Sequence, residues 1–220
     1  MSRLGRGTPA ASRPGPGAVL AWVALGVAVV VPTAVAATSP LLQWRDPVYV
    51  AAGLAGVVAM ALLLVQPLLA GGYLPGLSGV RGRRAHRRIG AALVAAVALH
   101  VVGLWLTSPP DVIDALLLRS PTPFSVWGVV ALWAVLGAAL SVALRPRLRV
   151  RASRWRLVHT VLATVVVVGS VVHALQIEGT MGTVSKAALC ALALGATVWA
   201  IVDLRSWNLP TRGTRRASDA

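Results

Sequence analysis

Six long apolar segments constrain the fold of this chain more than any other feature of its sequence. They lie near residues 18–37, 47–70, 84–107, 124–144, 155–177 and 183–203. Each is long enough to cross a hydrocarbon core of about 30 Å as an α-helix, which rises about 1.5 Å per residue. The sequence therefore predicts an all-α fold, a six-helix transmembrane bundle over residues 18–205, with membrane lipid as its surroundings.

The composition agrees with a membrane protein and excludes other classes. Hydrophobic residues make up 57% of the chain and charged residues 12%, whereas soluble domains have about 45–50% and about 25%. The net charge of +15 does not indicate nucleic-acid binding, because the arginines form short blocks between apolar segments rather than one stripe. The single cysteine, Cys190, excludes an intramolecular disulfide and a CxxC site.

The basic residues lie almost entirely at one side of the predicted bundle. The two tails and the connections after the second and fourth segments hold 18 of the 21 basic residues, and the other side holds only Arg45, Arg119 and Lys186. By the positive-inside rule, both termini are cytoplasmic. We therefore expect a multi-pass protein of the bacterial inner membrane, with cytoplasmic tails at residues 1–17 and 206–220.

The four histidines form two pairs with identical spacing. His86 and His100 lie in the third segment, His159 and His173 lie in the fifth, and 14 residues separate the members of each pair. On an α-helix, 14 residues rise about 21 Å and end about 40° short of four full turns, so each pair shares one helix face. The third and fifth segments run in the same direction. His86 is therefore expected level with His159, and His100 level with His173.

Two matched levels of imidazoles suit two b-type haems between the third and fifth helices. A haem iron takes two axial ligands on opposite faces of its ring, and a gap between helices admits the ring. Hydrogen-bonded interface histidines and a proton relay are the simpler alternatives. A histidine-dependent proton-coupled or metal-ion transporter is the alternative function, which the absence of acidic residues in the middle of any segment disfavours. Levels about 21 Å apart cannot converge on one zinc ion.

Other residues in these segments have structural interpretations. Trp155 lies near the start of the fifth segment, a position typical of the aromatic residues at a membrane–water interface. Glycines such as Gly56 and Gly103 permit close helix packing.

Two local motifs carry a resemblance to a known family. They are Arg84-Ala-His86-Arg87-Arg88-Ile-Gly90, followed by His100, and Trp155-Arg-Leu-Val-His159, followed by His173. With them the chain resembles the ferric-reductase-like transmembrane domain superfamily over residues 18–205. It is most similar to the single-subunit bacterial type, such as the haem-binding membrane subunit of periplasmic methionine sulfoxide reductase.

The resemblance implies transmembrane electron transfer by an oxidoreductase subunit or electron-transfer component. Electrons would enter near His86 and His159 and leave near His100 and His173. Arg87 would pair with the propionates of the inner haem, or would serve only to orient the chain in the membrane. The sequence has no GxGxxG motif. We therefore expect a separate flavin-containing or quinol donor, with FMN or quinone as a further cofactor, and an outer-side redox partner as acceptor.

Overall fold

All regular structure in the described part of the chain is helical. The computed structural model describes residues 15–147, 149–179 and 181–206. Most of both predicted tails therefore lies outside the described residues.

Seven α-helices follow one another in the described residues. They are α1 (Pro16–Ala37), α2 (Pro47–Ala70), α3 (Gly79–Thr107), α4 (Pro109–Leu116), α5 (Pro123–Leu144), α6 (Ala152–Gln176) and α7 (Thr183–Ser206), with a short 3-10 turn at Pro40–Leu42. All except α4 are long and apolar enough to cross a membrane. The predicted all-α bundle of six membrane-spanning helices is therefore confirmed, and the third and fifth spans correspond to α3 and α6.

The helix starts follow local chemistry. Proline occupies the first turn of α1, α2, α4 and α5. Backbone N–H groups in a first turn have no acceptor within the helix, so proline, which lacks this group, is tolerated there. The Asp46 carboxylate caps α2 by accepting hydrogen bonds from the backbone N–H groups of Val48 at 2.8 Å and Tyr49 at 3.1 Å.

Two features differ from the sequence prediction. The helix α3 begins at Gly79, five residues before the predicted segment, so several arginines lie on the helix itself. Arginine is a good helix former, and 29 residues span about 43 Å, so one end of α3 extends beyond the hydrocarbon core. The helix α4 was not predicted, because eight residues are too few to give a periodic apolar signal.

The bundle is built from two tightly packed helical hairpins. Helix α2 packs on α3 and α5 packs on α6, while α7 packs on α2 and α6, and α1 lies against α2 and α7. A methyl group on Gly103 would lie 2.7 Å from the Ala52 Cβ, and one on Gly169 would lie 3.1 Å from the Trp127 carbonyl oxygen. Glycine therefore allows the backbones of each hairpin to approach closely.

The apolar side chains lie either in a buried core or on the outward faces of the helices. Buried residues from α2, α3, α5, α6 and α7 form one cluster that includes Met60, Leu93 and Ala193. Many outward side chains are exposed, including Leu99 at 65% and Trp199 at 66%, as expected for a surface that faces lipid. Within the described residues, α3 and α6 are not closely packed against each other. The two histidine-bearing helices therefore meet through side chains such as His86 and His159, and not through close backbone packing.

Candidate functional site

The structure brings the four histidines together in two pairs. The rings of His86 and His159 have centroids 6.3 Å apart and planes inclined by 70°. At the other level, His173 lies within electrostatic range of His100. The pairs are those that the equal spacing predicts, and one member of each comes from α3 and the other from α6.

We call His86 and His159 the inner pair and His100 and His173 the outer pair, after the orientation that the basic residues predict. The inner pair is spaced for one metal ion. Two metal–nitrogen bonds of about 2 Å, together with the nitrogen-to-centre distances of two imidazole rings, give a centroid separation of about 6 Å. No group of three or more His, Cys, Asp or Glu residues that could hold a metal ion occurs among the described residues. The arrangement therefore suits a metal that brings its other ligands with it, as the iron of a porphyrin does.

The outer pair, His100 and His173, is oriented by backbone carbonyl groups. The Nδ1 atom of His100 lies 2.8 Å from the Ala52 carbonyl oxygen, and that of His173 lies 2.8 Å from the Phe124 carbonyl oxygen. A carbonyl oxygen only accepts hydrogen bonds, so each Nδ1 carries the proton and donates it. Each Nε2 then keeps its lone pair for a metal, which is the usual arrangement around metal-binding histidines.

Glycine makes these hydrogen bonds possible. Gly56 and Gly128 each lie four residues after a carbonyl acceptor, on α2 and α5 respectively. A methyl group on Gly56 would lie 3.0 Å from the His100 Nδ1, and one on Gly128 would lie 2.7 Å from the His173 Nδ1. Any larger residue would therefore push the imidazole away from its carbonyl partner.

Sequence reasoning missed this part of the site, although a signal was present. The two carbonyl acceptors, Ala52 and Phe124, are 72 residues apart, as are the two glycines, while the matching histidines of α3 and α6 are 73 apart. The hairpin α2–α3 is thus repeated by α5–α6. Searching for this offset around the histidines would have found both glycines.

The inner pair is held differently. The His86 Nδ1 lies 3.3 Å from the Gln66 carbonyl oxygen, a longer contact than either outer one. The His159 Nδ1 is buried and has no hydrogen-bond partner among the described residues. The indole of Trp155 stacks on the His159 ring instead, with centroids 5.2 Å apart and planes inclined by 12°.

A comparison with known families agrees with this geometry. Residues 55–170 match the family model described as ferric reductase like transmembrane component. This stretch covers more than half of the chain and contains His86, His100 and His159. The chain belongs to this family. Neither a curated protein nor a solved structure matches the chain.

Membership of this family supports a role as a membrane electron-transfer component, and ferric-reductase-like domains typically bind haem. The residues present fit that group, because the chain offers two paired sets of imidazoles, and no third protein ligand lies beside either pair in the described structure. His173 lies three residues beyond the matched stretch, so its place in the site depends on the geometry.

The structure leaves the prediction for Arg87 untested. In this ferric-reductase-like domain Arg87 follows His86 on α3 and is exposed. No hydrogen bond or ion pair of Arg87 occurs within the described residues. Pairing with a haem propionate stays a prediction.

A separate apolar groove of about 240 Å³ lies between α5 and α6. It is lined by Trp127, Val130, Thr164, Val165, Val168 and Gly169. Val168 is nine residues after His159, half a turn from it around α6. The groove therefore lies away from the histidine face and is not part of the candidate site.

Proposed function

We propose that this protein is a membrane di-haem b-type cytochrome that carries electrons across the bacterial inner membrane. The donor would act at the cytoplasmic side and the acceptor at the outer side. The observation that carries the proposal is the presence of two levels of paired histidines on α3 and α6, one of them with a ring-centroid spacing of 6.3 Å. Membership of a family of membrane electron-transfer components supports it.

Each level would supply two histidine ligands to one haem. His86 and His159 would hold the inner haem, and His100 and His173 the outer one. A haem with both axial positions filled by histidine accepts and releases one electron at a time and leaves no axial position for a substrate. The carbonyl groups of Ala52 and Phe124 hold the imidazole protons of His100 and His173 at Nδ1, which would leave each Nε2 free to bind a haem iron.

The charge distribution supports an inward-facing donor site. Exposed arginines surround the inner ends of both histidine-bearing helices, among them Arg84 and Arg88 on α3 and Arg154 and Arg156 on α6. Such a surface would attract an anionic partner and speed its association. A separate flavoprotein with its phosphate groups, or a quinol at the membrane surface, would act there. A redox partner would accept electrons at the outer level.

A visible spectrum tests the proposal. We expect detergent-purified protein to give a reduced-minus-oxidised b-type spectrum and about two haems per chain. His100→Ala and His173→Ala should each lower this to about one, because both remove a ligand of the same outer site. Leu99→Ala, which alters an exposed neighbour of His100 on α3, should keep both haems. Colourless protein from haem-replete cells would refute the proposal and favour a histidine-dependent transporter.

A further inference from the structure

Three of the four histidines share one positioning device, and His159 lacks it. The Nδ1 atoms of His86, His100 and His173 lie 2.8–3.3 Å from a backbone carbonyl oxygen of the neighbouring helix. The Nδ1 of His159 is buried and has no hydrogen-bond partner in the described part of the chain. Metal-binding imidazoles almost always bond through their second nitrogen. Another contact must therefore fix the orientation of the His159 ring.

The carbonyl that the repeat assigns to His159 already has another partner. An offset of 72 residues from Gln66 leads to Ala138 on α5. The Ala138 carbonyl oxygen accepts a hydrogen bond from the Ser141 hydroxyl at 2.7 Å. The Ser141 carbonyl oxygen in turn accepts one from the Trp155 indole N–H at 3.2 Å. At this level α5 therefore binds an indole, where α2 binds an imidazole directly.

The indole of Trp155 is held from two sides and lies flat on the His159 ring. Trp155 precedes His159 by four residues on α6, the spacing at which helical side chains meet. The two rings are nearly parallel, with centroids 5.2 Å apart. The guanidinium of Arg145 lies over the same indole, 4.0 Å from its centroid, in a cation–π contact. With the hydrogen bond to Ser141, these contacts fix the plane of the indole.

We propose that Trp155 is the positioning residue of His159. It sets the plane of the imidazole at the inner haem site by stacking, in place of the carbonyl hydrogen bond used by the other three histidines. Arg145 holds Trp155 in that plane. This role rests on the proposed function, since it concerns the ligand of the inner haem.

Spectroscopy of the full-length haem-loaded protein tests this role. The electron paramagnetic resonance signal of a bis-histidine ferric haem depends on the angle between the two imidazole planes. We expect Trp155→Leu to shift one of two low-spin signals and to raise the dissociation constant of that haem about two- to tenfold, the range of one aromatic pair. Trp155→Phe, which retains a flat ring, should restore most of both properties.

Two further variants assign the signals and control for general effects. Gly128→Ala displaces the ring of His173 and should shift the other signal. Trp133→Leu removes a tryptophan of α5 that is 60% exposed and should leave both signals unchanged. If Trp155→Leu shifted neither signal, or shifted both equally, the positioning role would be wrong.

A measurement without haem separates this inference from the proposed function. In full-length protein from haem-depleted cells, diethylpyrocarbonate modifies accessible imidazoles, and mass spectrometry gives the rate at each histidine. Trp155→Leu should speed modification of His159 at least about twofold, by the same stacking energy, and leave His100 unchanged. An unchanged rate at His159 would overturn the positioning role. Absence of haem from protein made in haem-replete cells would instead refute the proposed function, and the modification rates would still decide the role of Trp155.

Discussion

Replacing Gly128 with alanine should selectively weaken the proposed outer haem site. The new methyl group would lie 2.7 Å from the His173 Nδ1 and 2.8 Å from its Cε1, whereas non-bonded heavy atoms prefer about 3.5 Å or more. The imidazole must then retreat by about 0.8 Å, which stretches its 2.8 Å bond to the Phe124 carbonyl to about 3.6 Å, beyond hydrogen-bonding distance. Loss of such a supporting bond costs about 10- to 100-fold in metal affinity.

Haem content and affinity provide the assay. Reduced-minus-oxidised spectra during a haem titration of the depleted protein should show one site with wild-type affinity and one weakened by about 10- to 100-fold. Gly56→Ala should act in the same direction but less strongly, because its methyl group would lie 3.0 Å from the His100 Nδ1.

Two glycines on the same helices serve as matched controls. A methyl group on Gly53 of α2 would meet nothing within 4 Å, and one on Gly137 of α5 would be 3.6 Å from Leu162. Alanine at either position should preserve both haems, and helix propensity alone should make these variants slightly more stable. Equal haem affinity in Gly128→Ala and Gly137→Ala would refute the carbonyl-orientation model of the outer site.

Three other predictions concern groups outside the outer site. Burial and a 2.7 Å hydrogen bond to Asp203 raise the pKa of Tyr73 to about 12, so an ultraviolet titration should show a tyrosine that ionises near this pH and disappears in Tyr73→Phe. The stabilisation from Tyr73 should be complete below pH ~10 and lost as the pH rises through about 12, so equal pH dependence of melting in both proteins would contradict it. Lys186→Met removes a 2.6 Å hydrogen bond to a carbonyl just after α6 and should lower the free energy of unfolding by about 1–2 kcal/mol without loss of haem, as thermal denaturation would measure. Arg87→Gln should lower the midpoint potential of the inner haem in a redox titration, because a positive charge near the iron favours the reduced form, and Arg83→Gln, on the same helix, should change it less.

The membrane-spanning architecture could be predicted because the bilayer imposes its thickness on the sequence. Each span contains a long apolar segment, and the predicted and observed ends of α2 coincide at residues 47 and 70. The levels of the histidines followed from helix periodicity, which depends little on tertiary context. Membership of the ferric-reductase-like family was likewise predicted from the histidine motifs and is confirmed.

The contacts that support the histidines could not be predicted in the same way. The acceptors at Ala52 and Phe124 are backbone atoms, and every residue type supplies the same carbonyl group. Gly128 acquires a role only when the packing of α5 on α6 is known, because many helical glycines contact nothing. Trp155 lies at a membrane-edge position that suits an aromatic belt, and only the three-dimensional structure shows that its ring lies on His159.

In the proposed di-haem protein, the repeated hairpins would control two distances independently. The distance between the two histidine levels along the membrane normal is set within single helices, by 14 residues at a rise of about 1.5 Å each. It is therefore the same on α3 and on α6. The lateral distance between the two histidines of each level is set by the packing of one hairpin against the other. If the proposed function is right, a tilt of one hairpin against the other would alter the lateral distance at both levels. The distance between the two haem levels would stay fixed, because the backbone hydrogen bonds of the helices set it.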